Sequence, residues 1–263
     1  MSKEEMFTEN DFVKVEKGGK LVFSEDDFIK PEEKIIKIEL TWEGRPDLDI
    51  SAIMLNANNR ISQRGDLVYF RSQRRWKTEN PIGSKEFDPL CGQVSLPDDA
   101  KKYINEDDWR ENTLPLSLDN SVIGSWDDTG EDENDGDGEN CEQIHIQLNK
   151  VDLRKYNSIA IIASIATEQV KDKNGNNRFL EGDKFGDVYG PTVRIYEVAD
   201  NVSRPIAEYY LNNEHPDCDG VCLGYVKYQD GLWEFTAEEK GYKGRRDGEY
   251  YKIAIMEIAN SFC

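Results

Sequence analysis

Between Trp126 and Glu142 the chain carries nine carboxylates: Asp127, Asp128, Glu131, Asp132, Glu133, Asp135, Asp137, Glu139 and Glu142. No Lys or Arg occurs anywhere from residue 111 to residue 149. Like charges crowded in this way repel, at a cost of about 1 kcal/mol per pair ~4 Å apart even at the dielectric of bulk water. Such a segment either stays solvated or gathers around a cation. Gly130, Gly136 and Gly138 interrupt the acids and let the backbone turn sharply enough for their oxygens to converge. A second acidic site, Asp47-Leu-Asp49-Ile-Ser51, opens an apolar run. In a strand its positions i, i+2 and i+4 point the same way, which makes either a row of metal ligands or a plain solvent-facing side.

Donors that are all oxygen favour a hard cation. Calcium takes about 6–8 oxygens in flexible geometry, whereas magnesium demands an octahedron and keeps its waters. The inventory therefore suits calcium. An EF-hand does not fit: Glu131 and Glu133 stand where Asp or Asn is required, and a strand pattern follows Glu142 instead of a helix.

The elements that would position these acids read as strands. Ile36, Ile38, Leu40 and Trp42 alternate with Ile35, Lys37, Glu39 and Thr41, which is the signature of a half-buried strand. Further strands are predicted over 48–55, 66–72, 142–148, 188–198, 205–211, 221–228 and 232–236, and Lys20 to Phe23 reads as one more. The nearly continuous run from Ser158 to Ile165 predicts a central strand, and Asp230-Gly231 predicts a hairpin turn. Only Asn149 to Tyr156 suggests a helical turn within this region. Residues 73–126, punctuated by four prolines, read as an insertion with little core and a short helix over Asp98 to Trp109. The tail from Glu249 to Phe262 fits a closing strand or an amphipathic helix. Without an alternating βα rhythm, the pattern predicts an all-β fold, a two-sheet β-sandwich with short helical turns and one irregular insertion. The division is an N-terminal arm (1–33), the sandwich (34–244, with the insertion at about 73–120) and a C-terminal tail (245–263).

Composition narrows the function classes. With 33 basic and 53 acidic residues among 263, the net charge is −20, the wrong sign for a nucleic-acid surface. No apolar run approaches the ~18 residues of a membrane span, and the start, MSKEEMFTEN, has no apolar signal core. The expected compartment is the cytoplasm. Five irregularly spaced cysteines make no disulfide framework. The cluster His215, Cys218 and Cys222 offers three zinc donors without a fourth at a finger spacing, and Val221 and Leu223 place Cys222 in a strand.

The colinear set LTWEGRPDLDISAIMLNANN, GDLVYF, DDTGEDENDGDGENCEQIHIQL, SIAIIASI, FGDVYGPTVRIYE and WEFTAEEKGYKG resembles the TerD-type tellurium-resistance domain over roughly Lys34 to Gly244. The resemblance implies a calcium-binding β-sandwich of stress and tellurite-resistance systems with two neighbouring metal sites. By position it implies ligands at Asp47, Asp49, Ser51 and Asp66, and in the acidic loop at Asp127, Asp128, Glu131, Asp135, Asp137 and Glu142. About three extra loop residues, and Asn140-Cys141 before Glu142, leave open which of Asp135, Asp137 and Glu139 faces metal. It also implies protein partners within a stress or resistance complex, and the insertion is a candidate partner surface.

Two other functions compete with a non-enzymatic calcium protein. A metal-dependent phosphoester hydrolase would use the D-x-D pairs Asp47/Asp49 and Asp135/Asp137, but needs a cation or His beside the metal, and the loop offers only His145. A C2-like lipid-binding or small-ligand module would need basic or aromatic loop tips, for which Trp126 is the one feature in favour. No P-loop, Ser-His-Asp order or dinucleotide glycine pattern is present, and the expected class is non-enzymatic.

Overall fold

Alternation of apolar and polar residues governs most of the chain, and strands form wherever it runs. The computed structural model describes residues 12–24, 28, 32–44, 46–69, 73–75, 113–125, 140–165, 169–171, 173–175, 177–199, 202–212, 214–247, 250–252 and 254–263. In chain order the first strands are β1 (Val13–Lys14), β2 (Lys20–Phe23), β3 (Ile35–Glu43), β4 (Leu48–Leu55), β5 (Leu67–Val68), β6 (Gln73–Arg75), β7 (Thr113–Pro115), β8 (Val122–Gly124) and β9 (Asn140–Gln147). Then come β10 (Ser158–Ile165), β11 (Gln169–Lys171), β12 (Asn177–Phe179), β13 (Tyr189–Ala199), β14 (Val202–Tyr210), β15 (Gly220–Gln229), β16 (Leu232–Tyr242), β17 (Arg245–Asp247) and β18 (Tyr250–Lys252). Among the described residues one α-helix, α1 (Ala254–Ser261), follows β18.

Two six-stranded sheets form the sandwich, in the orders β1-β14-β13-β3-β9-β8 and β2-β16-β15-β10-β4-β5. Their inner faces enclose the main core, where Ile36, Ile38, Leu40 and Trp42 of β3 meet Leu48, Ile50, Ala52 and Met54 of β4. β10 is buried along its whole length, because its second face lies under α1. Ile53, Leu55, Ala160 and Ile162 form a smaller apolar cluster there with Ile255 and Ile258 of the helix. Asp230 (φ 53°) and Gly231 (φ 90°) both take left-handed backbone, the conformation a two-residue hairpin turn of right-twisted strands requires.

Several elements differ from the sequence expectation, each for a physical reason. The N-terminal arm supplies strands to both sheets: β1 pairs in parallel with β14, and β2 pairs antiparallel with β16, which covers one edge of each sheet. β2 is the strand expected over Lys20 to Phe23, whereas the two residues of β1 are too few to leave a period. Within residues 73–126, β8 is an edge strand of the first sheet and Leu116 and Val122 are buried, so this end of the stretch belongs to the body. Of the strand expected from Asp66 to Ser72, Asp66 instead ends a one-turn 3-10 helix (Arg64–Asp66), Leu67–Val68 form β5, and 70–72 lie outside the described residues. Leu148–Lys150 is likewise one 3-10 turn. The tail is both of its alternatives, β18 then α1. The helix expected over Asp98 to Trp109 lies outside the described residues.

α1 sits close to the sheet because Gly220 has no side chain. A Cβ there would stand 2.6 Å from the Ala254 Cβ and 2.9 Å from the Ile258 Cδ1. Gly220→Ala is therefore expected to lower stability by about 1–3 kcal/mol through overpacking. Urea unfolding measures this, and an unchanged midpoint would show that α1 yields without cost.

Candidate metal centre

β3 ends at Glu43 and β4 begins at Leu48 in the other sheet, so the chain crosses the end of the sandwich between them. The turn is tied by Trp42, whose indole N–H donates to the Pro46 carbonyl at 2.7 Å. β9 starts at this same end, with Asn140 paired to Trp42, and the Asn140 amide donates to the Gly44 carbonyl at 3.2 Å. The end of β8 is held there too: the Ser125 N–H donates to the Gln143 carbonyl at 2.8 Å, and the Gln143 N–H donates to the Ser125 hydroxyl at 3.1 Å. Both anchors of the acidic loop thus flank the turn that presents Asp47 and Asp49.

Glu142 is the one residue of the acidic run whose side chain is described. It is 3% exposed and shares the inward face of β9 with Ile144 and Ile146. Its carboxylate crosses to the other sheet, where the Ile50 N–H of β4 donates to Oε2 at 2.5 Å. Among the described residues β5 pairs with β4 at Ala52 and Ile53, and at Ile50 the amide of β4 is met by this carboxylate. Asp49 and Ser51 point to the opposite face of β4, the face of Ile53 and Leu55. Asp49 is 5% exposed beside Ser164 of β10. The Ser51 hydroxyl is buried with no hydrogen-bond partner among the described residues. Asp49 and Glu142 therefore reach the same stretch of β4 from its two faces, with the Ile50 amide between them.

Asp66 is elsewhere. Leu67 pairs with Ile53, so Asp66 lies about 17 Å along β4 from Asp49 at ~3.4 Å per residue. Its carboxylate is fully buried and engaged: the Ser62 and Gln63 N–H groups donate to Oδ2 at 2.8 and 3.0 Å, and the Tyr156 hydroxyl donates to Oδ1 at 2.6 Å. Burial, with Asp66 beside it, raises the Tyr156 pKa, so the phenol stays a proton donor. The ligand position that the resemblance implies at Asp66 is thus not brought to the Asp49 end. Asp127, Asp128, Glu131, Asp135, Asp137 and Trp126 lie outside the described residues. Among the described residues no three His, Cys, Asp or Glu side chains gather into a metal site.

The zinc alternative at His215 finds no such cluster. His215 Nε2 lies 2.8 Å from the Glu239 carbonyl, and burial pushes the Cys222 thiol up to about 12, which keeps it protonated. Among the described residues, Cys141, Cys218, Cys222 and Cys263 form no disulfide. His145, mid-strand in β9, pairs with Lys37 of β3. Burial first, and the Lys37 charge second, lower its pKa below the usual value of 6.5. The unfolded chain therefore takes up this proton first as pH falls, and the folded state loses stability below about pH 6.5. His145→Gln is expected to flatten the drop in melting temperature between pH 7 and pH 5.5. Equal slopes in both proteins would remove His145 from the acid response.

The TerD domain family model matches residues 115–247, just over half the chain. This chain belongs to the TerD family. Solved structures resemble it, two of them as follows. One, titled a protein of unknown function, SAV2460, has 15% sequence identity and a TM-score of 0.44, covering 81% of this chain and 92% of its own. The other, a homologue of the telluride resistance protein TerD from Streptomyces coelicolor A3(2), has 14% identity and a TM-score of 0.42, covering 80% and 91%. No curated protein matches the chain. Among the described residues, no helix is long and apolar enough to cross a membrane.

The TerD match contains the acidic loop and Glu142, and it begins after Asp47, Asp49, Ser51 and Asp66. Those four are tied to it through pairing: β3 joins β9, and β4 joins β10. The clamp residues Ser125 and Asn140 and the Ile50 amide escaped sequence reasoning. A backbone donor has no side-chain signature, and Asn140 looks like one more polar residue in a polar loop.

Proposed function

We propose that this TerD-family protein of the tellurium-resistance type is a non-enzymatic calcium binder of the cytoplasm. Calcium would draw the acidic loop onto the Asp47–Asp49 turn and thereby change the surface offered to protein partners of a stress or resistance complex. The observation that carries this reading is the bridge from Glu142 on β9 to the Ile50 amide on β4, at the strand start that holds Asp49. It brings two carboxylates far apart in sequence to one end of the sandwich. The donors there are oxygens, including the buried Ser51 hydroxyl, which suits a hard cation.

Asp47, Asp49, Ser51 and Glu142 are the ligands offered by the folded body, and Asp127, Asp128, Glu131, Asp135 and Asp137 those offered by the loop. Because Asp49 and Glu142 approach β4 from opposite faces, two ions fit this donor set better than one. Bound calcium would neutralise a loop that otherwise repels itself, and would stabilise the fold by mass action, by about 2.7 kcal/mol at a hundredfold excess over the dissociation constant. Isothermal titration calorimetry of the full chain tests this. Micromolar binding is expected, weakened at least tenfold in Asp47→Ala/Asp49→Ala. Millimolar binding by the wild type, or the same affinity in the double variant, would contradict it.

A further inference from the structure

The end of the sandwich away from the acidic loop holds a cleft of about 320 Å³. β9 runs from Asn140 at the loop end to Gln147 beside this cleft, a span of roughly 25 Å at ~3.4 Å per residue. Phe23, Phe28, Tyr228 and Trp233 form its walls. They stand as two tilted pairs, Phe23–Phe28 with ring centroids 6.4 Å apart and Tyr228–Trp233 at 5.3 Å. Leu153 and Leu232 line it while remaining 44% and 47% exposed, so they mark its rim. Lys34 and Asn149 are among the polar residues of the lining.

We propose that this cleft is a binding site for a planar aromatic small molecule of one or two fused rings, neutral or singly anionic. Its volume lies at the lower end of the ~300–1,000 Å³ typical of small-molecule sites, which limits the occupant to that size. Aromatic walls set at an angle to one another offer faces and edges to an inserted ring, the arrangement ring pairs prefer. Charge sets the remaining condition. Lys34 is the one charged side chain among the described residues of the lining. A single anionic substituent therefore meets a cation in the lining. Lys34 itself is held at φ 44°, a left-handed conformation costly for a residue with a side chain and frequent at ligand clamps. The cleft uses none of the residues of the proposed calcium centre.

Titration of the full chain with anilinonaphthalene sulfonate, in calcium and in chelator, tests the proposal. One saturable site is expected, with similar affinity in both conditions and displacement of the dye by indole. Leu153→Asp and Leu232→Asp replace exposed rim side chains, so each should weaken the dye at least tenfold while leaving the melting temperature unchanged. Absence of saturable binding, displacement by added salt but not by indole, or full affinity in both rim variants would overturn the proposal. Loss of calcium binding in the Asp47→Ala/Asp49→Ala protein leaves these outcomes untouched, so the two readings stand or fall separately.

Discussion

Glu142→Gln is expected to weaken calcium binding by on the order of 100-fold, because calcium affinity is tuned chiefly by the number of charged oxygen ligands, while the metal-free fold stays as stable as before. The amide oxygen of Gln can still accept the Ile50 N–H, so the tie between the sheets survives. What disappears is a negative charge that is 3% exposed and shares one end of the sandwich with Asp49. Without the ion such a charge is held at the expense of desolvation and repulsion, so its removal does not harm the apo protein. In the proposed site it would be a charged ligand of the body itself, not of the loop. Calorimetry and thermal melting, each with calcium and with chelator, separate the two effects. A Gln variant that binds calcium like the wild type, or that unfolds without calcium, would mean that Glu142 is purely structural.

Asp66→Ala should behave in the opposite way, costing about 3–5 kcal/mol of stability with calcium affinity unchanged. Three donors converge on this fully buried carboxylate, and the change orphans all of them: the Ser62 and Gln63 N–H groups and the Tyr156 hydroxyl. Hydrogen bonds to a charged group contribute about 1.5–3 kcal/mol each, and unsatisfied buried donors add their desolvation cost. Tyr156→Phe in the same background should recover part of the loss, since it removes one orphan and the residues form a single network. Urea unfolding with calorimetry measures both properties. A loss below about 1 kcal/mol, or a calcium affinity that falls with Asp66, would return this residue to the metal site.

The contrast between Glu142 and Asp66 shows where sequence reading stops. Strands with a period are visible in it: Ile36 to Trp42 alternates and is buried as the alternation predicts, the apolar run from Ser158 to Ile165 is an interior strand, and Asp230-Gly231 is a hairpin turn. The two-sheet sandwich follows from these. Strands of two or three residues such as β1 and β8 are set by the edges they cover, and no local pattern announces them. At the site, the spacing of Asp47, Asp49 and Ser51 gives their common face, but it does not tell that Glu142 approaches β4 from the other one. That depends on which sheet each strand joins. Asp66 looks like any other acid in the chain until Tyr156, distant in sequence, is folded against it. The tightness of α1 against Gly220 is hidden for the same reason, because the contact exists only once β15 and the helix are brought together.

Hydrogen exchange of the full chain with and without calcium tests the central claim most directly, that bound calcium ties the acidic loop to the start of β4. The account predicts that calcium slows exchange at residues 47–51 and 126–142 together, with Ile50 among the protected amides, and that Glu142→Gln abolishes both effects. Slowing confined to the loop, with residues 47–51 exchanging as they do in chelator, would contradict it.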